Sequence, residues 1–139
     1  MSLYTLYAAS RKLHNAHIPV LPNLIKTYIR IVHAATIPYT CRIGEGTSFP
    51  HGGQGVVIHD DAVIGKRCTI LPNAVIGGRS DLPQVPIIGD DVLIGAGAAI
   101  LGPVTIGSNS SVGANAVVLH DVPPRSLAVG VPAKNIPME

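Results

Sequence analysis

Ile88-Gly89-Asp90-Asp91-Val92-Leu93-Ile94-Gly95-Ala96-Gly97-Ala98-Ala99-Ile100-Leu101-Gly102-Pro103-Val104-Thr105-Ile106-Gly107-Ser108-Asn109-Ser110-Ser111-Val112-Gly113 places a branched apolar residue at every sixth position. Outward from this stretch the series runs on to Val118 and back through Ile76, Ile70, Ile64 and Ile58, with Leu82 keeping the phase across a break. Ile37, Ile43 and Phe49 form the same series, displaced by three residues. Glycine often follows the apolar residue, as at Gly44, Gly65, Gly77, Gly89, Gly95, Gly107 and Gly113. Two residues before it sits a small or compact side chain: Cys41, Ala62, Cys68, Ala74, Val92, Ala98, Val104, Ser110 or Ala116. Three residues after it come Asp61, Asn73, Asp91, Gly97, Asn109, Asn115 and Asp121. These residue types tolerate positive φ, so corners are expected there.

An α-helix cannot use this period, because 3.6 does not divide six and the apolar stripe would rotate away from any core. A short strand, a corner and another short strand can, with large and small side chains alternating into one interior. Self-similarity at a fixed period marks stacked repeats. Each buried Ile or Val contributes roughly 1.5–3 kcal/mol. The fold class expected is mainly β, a parallel β-helix. Its domain, with a C-terminal tail, is read over residues 36–139, behind an N-terminal helical segment over 1–35. Within that segment, Leu21, Leu24, Ile25, Tyr28, Ile29 and Val32 predict an amphipathic helix from Pro22 to His33. A weaker helix is predicted over 3–15, ending near Ile18-Pro19.

The chain has 139 residues, ten basic and eight acidic, for a net charge of +2, which marks it for neither nucleic acid nor an anionic membrane. Lys26 and Arg30 interrupt the one strongly apolar N-terminal stretch, so no transmembrane span is expected, and no signal peptide is read. With 47% hydrophobic and only 13% charged residues, some apolar surface is expected to be hidden against copies of the chain. Cys41 and Cys68 fall on interior small positions without metal-type spacing, so two reduced buried thiols and a cytoplasmic location are expected.

The repeat, with the tail Ala128-Val129-Gly130-Val131-Pro132-Ala133-Lys134, resembles the hexapeptide-repeat acyltransferases. Their chains wind three hexads per triangular coil into a left-handed parallel β-helix. The left hand comes from the resemblance, since the general crossover rule predicts the opposite. The similarity is to serine acetyltransferases and their short relatives in polysaccharide gene clusters, along Ile43-Gly44, His51, Val57, Ala62-Val63-Ile64-Gly65, Val75-Ile76-Gly77-Gly78 and Ile94 to Gly102. It implies an acetyl-CoA-dependent O-acetyltransferase that works as a homotrimer, with coenzyme A and a small hydroxyl-bearing acceptor as its partners and no metal.

His51 lies in the phase slip Pro50-His51-Gly52-Gly53-Gln54-Gly55-Val56-Val57, two residues beyond an inward position, and should point outward. The glycines there allow a ligand close to the backbone. The resemblance makes His51 the general base, and an imidazole suits that role near neutral pH. It also implies main-chain contacts to the cofactor or the oxyanion at Gly78, main-chain contacts to coenzyme A at Ala98 and Ala116, and a phosphate contact at Lys134. Arg79 stands as a candidate for acceptor binding.

Two departures from the serine enzymes stand out, and the second, with the shorter loop Arg79-Ser80-Asp81-Leu82-Pro83 that is similar to that of the polysaccharide-cluster relatives, shifts the expected acceptor toward a sugar hydroxyl. Thr36 stands where they carry an aspartate behind the histidine, and Gln84-Val85 stand where an Arg-His pair would hold serine's carboxylate. The ending Ile136-Pro137-Met138-Glu139 also differs from the terminal isoleucine with which serine enzymes often bind their pathway partner. A genuine serine O-acetyltransferase of cysteine biosynthesis is the rival reading. Two others stay open: a non-catalytic β-helix scaffold, and a γ-carbonic-anhydrase-like metal protein. The metal reading needs three histidines at an interface, two of them five residues apart, whereas His51 and His59 are eight apart. His14, His17 and His33 read as ordinary surface or packing residues, and His120 sits on the last coil.

Overall fold

The computed structural model describes residues 1–139. Nearly every hexad supplies a strand of two or three residues: β1 (Arg42–Ile43), β2 (Val57–Ile58), β3 (Val63–Ile64), β4 (Thr69–Ile70), β5 (Val75–Gly77), β6 (Ile87–Ile88), β7 (Leu93–Ile94), β8 (Ala99–Leu101), β9 (Thr105–Ile106), β10 (Ser111–Val112) and β11 (Val117–Val118). The longer β12 (Ser126–Gly130) and β13 (Ala133–Pro137) follow. Three sheets result, β1-β3-β6-β9, β2-β5-β8-β11 and β4-β7-β10-β12-β13, parallel except for the last pair. They are the walls of a left-handed parallel β-helix.

Register stacks like on like. Ile43, Ile64, Ile88 and Ile106 form one interior column, Ile58, Ile76, Ile100 and Val118 a second, and Ile70, Ile94, Val112 and Ala128 a third. All are buried, and the small residues between the columns, such as Ala62, Ala74, Ala98 and Ala116, are fully so. The glycines have a coil-to-coil reason. A Cβ on Gly44 would sit 2.6 Å from the backbone of Gly65, and one on Gly65 would sit 2.4 Å from the Gly89 carbonyl oxygen.

Three details of the sequence reading need correction. Positive φ occurs at Asn73, Asp91, Gly97, Asn109 and Asn115 as expected, but not at Asp61 or Asp121, and Arg67 adopts it instead. The corners at Asp61 and Asp121 are held by side-chain bonds: Asp61 N–H donates to His59 Nδ1, and Asp121 Oδ1 accepts from Thr105 N–H. Arg67 is tied to the coil above by a bidentate pair with Asp91, both contacts 2.9 Å. Leu82 does not continue the interior series. It is 40% exposed in a loop bridged from Arg79 to Leu82, a whole hexad looped out of the coil between β5 and β6.

Two helices precede the coil, α1 (Leu3–Asn15) and α2 (Leu21–His33), and α2 departs from its expected packing. Ser2 caps α1 by accepting from Thr5 N–H. Tyr7 and Arg11 then close the open end of the first coil. The Tyr7 hydroxyl donates to the Cys41 carbonyl and accepts from Ile43 N–H, while Arg11 donates to the Tyr39 and Thr40 carbonyls. α2 buries Pro22 and Ile29 only, and Leu21, Leu24, Tyr28 and Val32 of its predicted core face are exposed. The helix docks along a narrower strip than its apolar pattern suggests. Neither helix is long and apolar enough to cross a membrane.

Cys41 and Cys68 are free and buried inside the coils. Burial pushes the Cys41 thiol up to about 12 and raises that of Cys68 as well. Neither forms a thiolate readily, so a colorimetric disulfide reagent at pH 8 should label no thiol in the native protein and both in denaturant. Rapid labelling of either thiol without denaturant would contradict this packing.

Candidate active site

After the inward Phe49, the chain makes a tight turn over Pro50–Gly53, largely left-handed, in place of a regular corner. His51, Gly52, Gly53 and Gly55 all take left-handed φ, 59°, 71°, 69° and 73°. A side chain at two of these glycines would also crowd a neighbouring side chain. A Cβ on Gly53 would meet Leu3 Cδ2 at 2.3 Å, and one on Gly55 would meet Asn73 Oδ1 at 1.9 Å. His51 is the only side-chain-bearing residue in the run with positive φ, which costs roughly 1–2 kcal/mol. The tight bulge places its imidazole on the surface, exposed, as the phase slip implied.

The sequence reading missed what holds this bulge. His33, the last residue of α2, brings Nδ1 to 2.9 Å from the Gly52 carbonyl oxygen. A carbonyl only accepts, so His33 carries its proton on Nδ1. His33 and His51 line one cavity of about 290 Å³ with Val32, Ala34, Gly52 and Gln54. No sequence motif joins two residues so far apart; the only hint was the position of His33 at the junction of helix and coil. Thr36, at the expected aspartate position, bridges Val57 in the ladder and supplies no carboxylate.

The bond gives a direct test. His33→Phe keeps the ring's bulk without the donor and is expected to lower kcat about tenfold or more, since a misplacement near 1 Å can cost roughly 10²-fold. His33→Asn retains an N–H donor and should recover most of the loss. Equal rates in the two variants would show that the bond does not position the bulge.

The remaining candidates lie apart from this cavity. Gly78 is exposed just past β5, between Val85 and His59, and its N–H makes no hydrogen bond within the chain. Ala98 and Ala116 turn their methyl groups into the core. Their N–H groups donate to the Gly95 and Gly113 carbonyls, and their carbonyls accept from Val75 and Ala99. Each therefore offers a ligand only the second lone pair of its carbonyl. Arg79 stretches over Gly102, where a Cβ would meet its Nε at 2.7 Å, and that Nε is buried without a partner. Lys134 is exposed on β13, opposite Val129. No three His, Cys, Asp or Glu side chains converge as a metal site would require.

Residues 86–120 match the bacterial transferase hexapeptide family (six repeats). The chain is 35% identical over 132 residues to a serine acetyltransferase of Helicobacter pylori, covering 94% of this chain and 77% of that protein. Other curated serine acetyltransferases are longer, and the chain spans 51% of one and 30% of another. Among solved structures, soybean serine acetyltransferase complexed with serine superposes with a TM-score of 0.87 at 41% identity, covering 94% of this chain and 54% of that one. A serine acetyltransferase in complex with CoA gives 0.85 at 33% identity, covering 94% and 54%. With its hexad columns, its glycine-rich bulge and this likeness along almost its whole length, the chain belongs to the serine acetyltransferase family of hexapeptide-repeat transferases.

Proposed function

We propose that the chain transfers acetyl from acetyl-CoA directly to the hydroxyl of a small acceptor, with His51 as the general base. The observation that carries this reading is the exposed His51 imidazole, held at left-handed φ on a glycine-rich bulge that interrupts the coil. The neutral imidazole takes the hydroxyl proton as the acceptor oxygen attacks the thioester carbonyl carbon. A backbone N–H holds the tetrahedral intermediate's oxyanion, and the unengaged Gly78 N–H, which lies apart from His51 within its own chain, is the candidate when a neighbouring copy presents it. Collapse breaks the carbon–sulfur bond, and the imidazolium returns the proton to the departing thiolate. The acetyl ester and free coenzyme A leave.

Serine is the better-supported acceptor. The relatives are serine acetyltransferases, and one neighbour was solved with serine bound. The sugar expected from Gln84-Val85 and the short Arg79–Pro83 loop gains no support from the comparisons and becomes the second reading. The working unit is read as a homotrimer. The outward residues of the β2-β5-β8-β11 wall, Val57, Val75, Ala99 and Val117, form an apolar ladder, and a partner copy against it would cover that wall. Coenzyme A would then lie between copies, near Ala98, Ala116 and Lys134. The buried thiols suit a cytoplasmic setting.

Thiol release from acetyl-CoA, followed with L-serine and with a panel of sugars, tests the acceptor. Sedimentation alongside tests the trimer. Turnover with serine alone supports the first reading and turnover with sugars alone the second. Lack of turnover with every acceptor would overturn both.

A further inference from the structure

The polar face of α2 carries Asn23, Lys26, Thr27, Arg30 and His33, spaced three and four apart and so aligned along one side of the helix. Asn23, Lys26, Thr27 and Arg30, with Ala35 and Thr36, line a cavity of about 270 Å³. His33, one turn on, lines the His51 cavity together with Ala34. Both cavities are thus lined from α2 and the residues just past it, one reaching Ala34 at the left-handed C-cap and the other Ala35.

The first cavity is built of donors and positive charge. Lys26 and Arg30 sit at i and i+4, where like charges repel. Neither has a carboxylate partner, because the chain's one ion pair is Arg67–Asp91. No acidic residue lines the cavity. Asn23 Oδ1 already accepts from the Tyr39 hydroxyl at 3.0 Å, which leaves its amide N–H groups as donors. The hydroxyls of Thr27 and Thr36 complete the lining. A guanidinium and an ammonium with neutral donors around them complement a planar oxyanion, which arginine grips with two parallel bonds.

We infer that Lys26 and Arg30 form a subsite for the acceptor's carboxylate, holding the acid end of the substrate while its hydroxyl reaches His51. The inference rests on acetyl transfer at His51, and it narrows the acceptor class to hydroxy acids. Two sources carry that chemistry: a hydroxy amino acid, and a sugar acid. The subsite also answers the missing Arg-His pair at Gln84-Val85, because the positive charge is supplied from α2 instead of from the loop.

The test compares the wild-type protein with Arg30→Gln, Arg30→Lys and the double variant Lys26→Met/Arg30→Gln. Calorimetric binding of L-serine and of D-glucuronate, without acetyl-CoA, reads the subsite independently of the chemistry. Acetyl transfer to each acid and to its neutral counterpart, serinamide or glucose, reads its use. The expected result is that one of the two acids binds, with the identity of that acid naming the source. Affinity and 1/KM for it should fall tenfold or more in Arg30→Gln and further in the double variant. KM for acetyl-CoA and transfer to the neutral counterpart should stay within twofold, and Arg30→Lys should keep most of the binding.

Failure of both acids to bind the wild-type protein, or binding of the recognised acid within twofold of wild type in the double variant, would overturn the subsite. Equal loss in Arg30→Lys and Arg30→Gln, with a lowered melting temperature in both, would overturn it too, by showing that packing and not charge was removed. A His51→Asn variant with more than a tenth of wild-type kcat would sink the base assignment instead, while the binding arm still decides the subsite.

Discussion

His51→Asn is expected to cut kcat by about 10²–10⁴-fold, the range a positioned proton acceptor contributes. Asparagine is the informative replacement because it tolerates the left-handed conformation of residue 51, so the bulge can keep its shape. The acetyl-CoA KM should change little, and the melting temperature should stay within a few degrees of wild type. That combination separates chemistry from folding. His51→Gly adds a second arm. It removes the Cβ cost of roughly 1–2 kcal/mol at positive φ and should be at least as stable as wild type while remaining inactive. A His51→Asn enzyme with more than a tenth of wild-type kcat would remove His51 from the mechanism. A variant that loses activity and acetyl-CoA binding together would point to collapse of the bulge.

The second large effect is structural and should split two glycines that look alike in sequence. Gly77 and Gly95 both follow an inward isoleucine. A Cβ on Gly95 would stand 2.6 Å from Ala114 N, 2.7 Å from Gly113 C and 2.8 Å from Val112 O, all backbone of the next coil. That coil cannot retreat cheaply, because Gly95 N–H donates to Val112 O at 2.8 Å within a continuous ladder. Gly95→Ala should therefore cost about 3 kcal/mol, the upper end of ordinary overpacking. For a chain of this size that corresponds to a fall in Tm on the order of 10 °C. A Cβ on Gly77 would find Val75 Cγ1 at 3.7 Å and Leu101 Cδ2 at 3.8 Å, ordinary contact, and Gly77 lacks positive φ. Gly77→Ala should be neutral or stabilising by about 0.4–1 kcal/mol through the unfolded chain's lost freedom. Thermal melts at matched protein concentration check the pair. Equal shifts would show that coil spacing does not set the need for glycine.

The comparison of these glycines shows how far the pattern could be read. The six-residue period named the inward columns of isoleucine, and the small residues between them are buried as the alternation requires. It could not tell which glycines face the backbone of a neighbouring coil, because that depends on how each coil seats on the next. Leu82 shows the same limit. It keeps the period by count, yet its hexad leaves the coil, as the pairings of Ile64 with Ile88, Ile70 with Ile94 and Ile76 with Ile100 reveal. At the corners, residue type predicted positive φ well where the backbone alone makes the turn. It failed at Asp61 and Asp121, where a side chain closes the turn instead.

The sequence by itself therefore determined the solenoid, the place of its bulge and the exposure of His51. Strand alternation, corner chemistry and a break in phase are local properties, repeated or interrupted along the chain itself. The tertiary structure alone decided which face of α2 is buried, that His33 grips the Gly52 carbonyl, and that Lys26 and Arg30 line one cavity with Thr36. Those relations arise where a helix docks on the end of the coil. They depend on the angle of a cap fixed by Tyr7, Arg11 and Ile29 against the first coil, and no periodicity along the chain encodes that angle.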